Sequence, residues 1–552
     1  MSILPSSFPV PYQKLIGFIR NAAGKNAGKL FAAAIVAGLA STLIIVVLIQ
    51  AAESIENRTL NFAYVVQFLL SIGTFIFLKQ YLSKQMSVLA QDAVCDFRIQ
   101  IANKIRKASC YPFEKIGQAE VVTTLTDQTG RVAAGAVEFS KAAPSCVMLV
   151  FAFGYVLILS TTAFWLSLIA ITIPILIVRT YWKKFGHTLH DAIIQEGVFF
   201  QQFQHLLNGF KEIKVDRKKR EDLFDNYLSE SSINAGAMNA SWEIHQSRIA
   251  LIVQLSFFLL LGTIVFILPQ CSSVPSSLIM DITTILIFIV GNLTIVTDAI
   301  TAMARGDAAL AILKDVESRL DKMDDHKEYL AANKLFEKKS FDCLELTDIA
   351  FNYKNADEEQ EFSLGPIDLK IQTGEIIFIK GGNGSGKSTL LKTLCGLYYP
   401  QSGSIQVDGI VVSGKNYDDY REMFSIIFTD YHLFDRLYGM SDVDEARVNE
   451  LIELMQLSSK TKYVDGQFTN TSLSTGQKKR LGLIISMLDD CPICIFDEVA
   501  ADQDAEFRAT FYEELLPMLQ KQGKTIIAVT HDDRFHEVAD RIIRIDYGKI
   551  EQ

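Results

Sequence analysis

Basic charge is in short supply: 53 Lys and Arg stand against 63 Asp and Glu, a net charge of −10 over 552 residues. That balance gives no support to nucleic-acid binding, which normally leaves a basic domain. Cysteine is sparse too. Eight thiols are too few for a disulfide framework in so long a chain, and most fall in segments placed below in the membrane or the cytoplasm. The first 12 residues lack a charged stretch followed by an apolar core, so no cleavable export signal is expected. No internal repeat is visible, so the chain supplies one set of elements rather than two. What the first 300 residues hold in quantity is uncharged apolar sequence. The 49% apolar share and the mean hydropathy of +0.22 are only averages. The apolar residues bunch into runs of about twenty, and the last 220 residues read as an ordinary soluble domain. Intrinsic disorder, a secreted disulfide scaffold and a purely soluble enzyme are thereby excluded.

A hydrocarbon core of roughly 30 Å needs about 20 helical residues to cross it. Six stretches qualify: 30–50, 60–78, 142–159, 161–178, 249–268 and 278–297. All but the last are free of charge, and that one carries Asp281 near one end. Spans three and four are separated only around Ser160, which predicts a tight helical hairpin. Lys14, Arg20, Lys25 and Lys29 precede the first span without an acid, which places the N-terminus in the cytoplasm. An even number of spans returns the soluble half to the same side, and the first span is expected to act as signal anchor. The outer loops, 51–59, the turn at Ser160 and 269–277, carry only Glu53, Glu56 and Arg58. The inner loops, 80–141 and 179–248, are long and rich in Lys and Arg. Within them 85–108 and 195–231 have helical composition and no proline. Spans two to five are therefore expected to continue as helices into the cytoplasm, forming two long hairpins capped by short turns. The basic run Arg217-Lys218-Lys219-Arg220 is flanked by Asp216, Glu221 and Asp222, which reads as a solvated helix face rather than a nucleic-acid patch.

A helical connector at 307–339 leads into alternating strand and helix patterns. A strand at 375–380 runs into Gly381-Gly382-Asn383-Gly384-Ser385-Gly386-Lys387-Ser388, followed by a helix from Thr389. This is the spacing of a phosphate-binding loop in its strand-loop-helix context. The glycines let backbone N–H groups converge on phosphate oxygens. Lys387 reaches the β and γ phosphates, and Ser388 is placed to hold Mg²⁺. Downstream, the apolar strand 493–496 ends in Asp497-Glu498. Acids at the carboxyl end of a buried parallel strand sit where nucleotide chemistry occurs. Asp497 is suited to organise the Mg²⁺ shell, and Glu498 to orient and deprotonate an attacking water.

Between the two lies Leu473-Ser474-Thr475-Gly476-Gln477, then a helix beginning Lys478-Lys479-Arg480. This resembles the signature sequence of the ATP-binding cassette family, with Thr475 where glycine is usual. The resemblance implies that Tyr353 stacks on adenine and that Gly381 to Thr389 cradle ATP. It also implies that Ser474, Thr475, Gly476 and Gln477 face ATP, that Asp504 is the acid of the D-loop and that His531 is the switch histidine near the γ-phosphate. One departure is clear: Thr429, followed by Asp430, stands where the family has a metal-binding glutamine. The likeness covers the whole chain, as in a half-size exporter. Phe362-Ser363-Leu364-Gly365-Pro366, Gly381-Gly382-Asn383-Gly384, Phe428-Thr429-Asp430 and Asp497-Glu498-Val499-Ala500-Ala501-Asp502-Gln503-Asp504 narrow it to the bacterial cyclic-peptide and pyoverdine-type siderophore exporters. Those proteins also replace the glutamine with Thr or Ser followed by Asp.

Cys491-Pro492-Ile493-Cys494 invites a redox or zinc reading, but Cys494 lies within a core strand and no second pair accompanies it, so packing is expected. Asp281 is either a cavity-facing functional acid or an acid exposed at the outer surface. Gln67, Gln254, Thr283 and Asn292 are weaker lining residues for a pathway. The expectation is thus a multi-domain chain. It comprises a six-span helical membrane domain at 1–306, a helical linker at 307–339 and an α/β P-loop cassette at 340–552. It would export a cyclic peptide, peptide-derived metabolite or siderophore across a bacterial inner membrane, using ATP and Mg²⁺. It would work within membrane lipid as a homodimer with two composite ATP sites, the N-terminus and cassettes cytoplasmic, and without nucleic acid. The rivals are a lipid flippase or siderophore importer on the same scaffold, and an ATP-regulated membrane switch that moves nothing.

Overall fold

The computed structural model describes residues 13–56, 62–116, 121–122, 124–185, 187–271, 275–323, 340–353, 362–414 and 416–551. It divides into two compact units, residues 1–106 with 116–321 and residues 107–115 with 322–552. Three parts of the sequence reading, namely the leader at 1–12, Arg58 and the connector beyond 323, lie outside the described residues.

The first unit is helical. Among the described residues, five helical stretches are long and apolar enough to cross a membrane: Lys14–Ile55, Phe62–Lys107, Thr124–Leu159, Arg217–Gln270 and Ser276–Lys322. They carry expected spans one, two, three, five and six. The fourth, 161–178, lies on the helix Thr161–Phe185. Ser160 makes the hairpin between spans three and four: its backbone is extended, and its Oγ accepts the Ala163 N–H at 3.3 Å to start the next helix. Phe62–Lys107 is a single helix of 46 residues, about 70 Å long at the α-helical rise. That is more than twice a hydrocarbon core, so the second span does continue far beyond it.

The expected turns at the hairpin tips are short helices instead, Cys110–Ile116 on the first and Phe210–Val215 with Arg217–Asp222 on the second. Residues 195–231 therefore do not form one helix. Gly209 interrupts it, and Asp216 stops it in an extended conformation whose carboxylate accepts the Lys218 and Lys219 N–H groups at 3.0 and 3.2 Å. The basic run lies on the helix so started, with Arg217 bonded to Glu221 at 2.6 Å on an exposed face.

Spans one and three pack through small residues. Ala33, Ala34 and Ala37 are buried, and a Cβ at Gly38 would stand 2.6 Å from Val147 Cβ and 2.8 Å from the Pro144 carbonyl. In lipid, where apolar burial gives helices no preference for one another, such close backbone approach supplies the packing. The Thr42 hydroxyl, 3.0 Å from the Gly38 carbonyl, also lies 3.5 Å from the Met148 carbonyl across the contact. Gly38→Leu is expected to push the helices apart and cost about 1–3 kcal/mol or more. It should appear as a lower melting temperature and a smaller monodisperse fraction of the detergent-solubilised protein, whereas an unchanged melt would contradict this contact.

Among its described residues the second unit carries twelve strands: β1 (Cys343–Asn352), β2 (Ser363–Gln372), β3 (Ile376–Lys380), β4 (Ser402–Val407), β5 (Ile410–Val411), β6 (Phe424–Ile427), β7 (Tyr463–Val464), β8 (Gln467–Phe468), β9 (Ile493–Asp497), β10 (Thr525–Val529), β11 (Arg541–Asp546) and β12 (Lys549–Glu551). An antiparallel sheet runs β2-β1-β4-β5, and a six-stranded sheet runs β12-β11-β3-β10-β9-β6. In the larger sheet β11, β3, β10, β9 and β6 are parallel. Strands β3, β9 and β10 are buried at every residue; apart from the end residues Lys380, Asp497 and Thr525 their sequence is apolar, as strands covered on both faces require. The carboxyl ends of β3, β9, β10 and β6 lead into Gly381, Glu498, His531 and Thr429 respectively. Four adjacent strands thus deliver the predicted site residues to one edge of one sheet.

Candidate functional site

The loop after β3 wraps a cleft of about 500 Å³ lined by Tyr353, Phe362, residues 383–389, Thr429 and Glu498. Gly386 has φ +104, and a Cβ there would come within 2.6 Å of the Phe362 ring, so two separate reasons require glycine. The buried Lys387 ammonium donates to the carbonyls of Gly381 and Gly382, both at 2.9 Å. The Tyr353 hydroxyl lies 3.1 Å from Thr389 Oγ1, at the start of the helix Lys387–Leu394. Ser385 Oγ is buried in the loop and finds no hydrogen-bond partner among the described residues. An anion with oxygens to offer, set among these N–H groups and at a helix N-terminus, fits that donor set.

Ser388 Oγ donates to Asp497 Oδ2 at 3.2 Å, joining the two residues predicted to share a metal. Burial pushes the Asp497 carboxyl above its usual range, and bonds from Ser388 and Thr429 partly offset this. A hydroxyl beside a buried carboxylate is a hard oxygen pair of the kind Mg²⁺ takes alongside phosphate oxygens. Thr429 Oγ1 stands 3.5 Å from the Asp497 carbonyl and lines the cleft; Asp430 is exposed and does not line it. His531 Nε2 is 3.3 Å from Glu498 Oε1. Glu498 itself takes a left-handed backbone, φ +51 and ψ +38.

The signature residues lie elsewhere: none of Ser474, Thr475, Gly476, Gln477 and Asp504 lines the cleft. Ser474 caps the helix Thr475–Leu488 in a reciprocal box, its Oγ accepting the Gln477 N–H at 3.4 Å while Gln477 Oε1 accepts the Ser474 N–H at 3.1 Å. A Cβ at Gly476 would sit 2.5 Å from the Asp502 carbonyl, and Gln503 Nε2 donates to the Gly476 carbonyl at 2.9 Å. Asp504 caps the helix Ala505–Ala509. The Phe507 N–H, and then Arg480, hold its carboxyl below the usual range.

Sequence reasoning missed several participants. Phe362 lies in a run quoted for family likeness, yet nothing marked it as a wall of the cleft. Tyr111 and Glu114, from the tip of the first inside loop, pack with the cassette. Tyr111 meets Phe351, Tyr353 and Tyr398 edge-on at 5.3, 5.5 and 5.5 Å. Glu114 accepts from Lys392 at 2.9 Å and from the Tyr398 hydroxyl at 2.6 Å. Burial works against its ionisation, but these two donors outweigh it and hold the carboxyl below its usual range.

Cys491 and Cys494 are both buried, and burial pushes the thiols up to about 12 and about 11, which suits packing rather than chemistry. Thr283 and Asn292 bond carbonyls of their own helix at 2.7 and 3.3 Å. Asp281 is half-buried, and Gln67 and Gln254 are exposed.

Residues 364–501 match the ABC transporter family. The chain is 33% identical over 467 residues to the ATP-binding protein SyrD of Pseudomonas syringae pv. syringae, a match covering 82% of this chain and 81% of that one. It is 26% identical over 410 residues to the lactococcin-A transport/processing ATP-binding protein LcnC of Lactococcus lactis subsp. lactis, covering 70% of this chain and 54% of the other. An ATP-dependent lipid A-core flippase of Ralstonia nicotianae matches at 32% over 203 residues, only 34% of each chain. Among solved structures, a bacterial Atm1-family ABC exporter with ATP bound superposes with a TM-score of 0.75, covering 98% of this chain and 95% of that one at 16% identity, which establishes the fold. Identity of one residue in three over most of both chains goes further than fold, and this chain belongs to the ABC transporter family, membrane proteins in which an ATPase drives transport.

Proposed function

We propose that the chain exports a cyclic peptide, a peptide-derived metabolite or a siderophore across the bacterial inner membrane as a homodimer with two composite ATP sites. One observation carries the dimer: the signature helix N-terminus lies outside the cleft of its own chain. A helix N-terminus able to receive a phosphate, placed away from the only phosphate loop in the sequence, is complete only against the cleft of a second chain. The cargo class rests on LcnC, named for transport of lactococcin-A, and on the Thr429-Asp430 pair that the chain shares with the cyclic-peptide and siderophore exporters it resembles.

Within each site Lys387 and the loop amides hold the β and γ phosphates, and the Tyr353 ring takes the base. Ser388 and Asp497 would hold Mg²⁺, which neutralises charge on the transferred phosphoryl group when bound. Glu498 orients the attacking water and takes its proton, and His531 sets the direction of that carboxylate. ATP draws two cassettes together, hydrolysis releases them, and the inside hairpins carry the motion to the membrane helices.

Deleting the gene and comparing cells with medium by mass spectrometry tests the cargo. A peptide-like compound retained in cells and missing outside is the expected result, and unchanged partition of every such compound contradicts the reading. Thr429→Val tests the coupling loop. A threonine hydroxyl ends two bonds short of a glutamine oxygen, so Thr429 works through a bridging water or with Asp430. The variant should keep ATP affinity within about threefold and lose most export. Normal export by both Thr429→Val and Asp430→Asn would show that this loop carries no switch.

A further inference from the structure

Glu498 stands in a backbone conformation that a non-glycine residue holds only under constraint from outside. Its N–H is tied to the Val529 carbonyl at 3.3 Å, at the end of β10. Its carbonyl accepts two bonds, from the Ala501 N–H at 3.3 Å and from the Lys479 ammonium at 3.1 Å. Lys479 lies on the signature helix, five residues after Ser474, and is 1% exposed. A buried ammonium needs a counter-charge, and Asp502 Oδ2 supplies it at 2.7 Å.

We propose that Lys479 is a positioning residue for Glu498: its ammonium holds the carbonyl that fixes the left-handed backbone and so aims the carboxylate into the cleft. The proposal rests on the reading of Glu498 as general base. A charge-assisted bond to a carbonyl is among the stronger restraints a side chain can place on a backbone. If the carbonyl rotates as φ relaxes to negative values, the Cα–Cβ direction rotates with it, and the carboxylate leaves both His531 and the cleft. The same lysine makes the signature helix and the base one body. With composite sites, the helix that faces the partner's ATP therefore sets the base acting on the chain's own ATP, and each site is conditioned on the other through a single side chain.

The test uses the purified full-length protein in lipid nanodiscs, with ATP turnover and KM for ATP measured on four proteins: parent, Lys479→Met, Glu498→Gln and the double variant. Methionine keeps the stem and removes the ammonium. Lys479→Met is expected to lower kcat by about 10- to 100-fold, the cost of a misplaced catalytic group, with KM within about threefold. In the Glu498→Gln background, where no base remains to be aimed, the same change should alter residual turnover less than about threefold. Parent-like turnover in Lys479→Met overturns the proposal. An equal fold-loss in both backgrounds overturns it too, because that marks a structural role. If Lys479→Met does not accumulate as folded protein, Lys479→Gln carries the same cycle under the same criteria. An active Glu498→Gln would instead sink the reading of the base itself, so the two failures are told apart.

Discussion

Glu498→Gln should lower ATP turnover by about two to four orders of magnitude, the usual cost of removing a positioned general base, while nucleotide binding stays intact. The substitution preserves shape: the amide occupies the same volume and can still meet His531, whose Nε2 lies 3.3 Å from Glu498 Oε1. What it removes, on the proposed reading of Glu498 as general base, is the acceptor for the proton of the attacking water. In the proposed reading, binding rests on other groups that line the cleft, the phosphate loop with Lys387 and the ring of Tyr353, and these are untouched. The expected product is a protein that takes up ATP, closes and does not reopen. Phosphate release and retention of a fluorescent ATP analogue, measured on the same preparation, separate the two steps. Turnover near that of the parent would mean that another group accepts the proton. The other acid of the pair, Asp497, is poorly placed to do so, being buried and bonded to Ser388.

Much of the site was legible because its chemistry is local in sequence. A strand, a glycine-rich loop and a helix start occupy consecutive residues from 376 to 394, and the fold does little more than set them at the edge of a sheet. The strand before Asp497 announced itself in the same way, as an apolar run too continuous for a half-exposed position. Burial of Cys494 followed from its place in that strand.

Features created by tertiary contact left no such mark. Lys478, Lys479 and Arg480 read as one basic run, yet a turn of about 100° per residue gives them different fates: Lys478 is half-exposed, and Lys479 and Arg480 are buried. Tyr111 and Glu114 sit in a seven-residue helix whose composition suggests nothing. Their meaning comes from Tyr353, Tyr398 and Lys392, all more than 200 residues away. Composition favoured one helix through 195–231 because it sums propensities. A single aspartate at 216 was enough to end one helix and cap the next.

The separation of the signature helix from the cleft is the observation on which the dimeric mechanism turns, and it admits a direct trial. Ser474→Arg blocks the signature and Lys387→Ala disables the phosphate loop, so each variant alone should be nearly inactive. Co-expressed with different tags, the two chains form like and mixed dimers, and purification through both tags keeps only the mixed ones. Where each site takes its phosphate loop from one chain and its signature from the other, both defects fall in the same site. The second site is then intact, and the mixed dimer should hydrolyse ATP clearly faster than either variant alone. If each site were built within one chain, every site in the mixed dimer would carry a defect. Turnover as low as that of the double variant would then contradict the account.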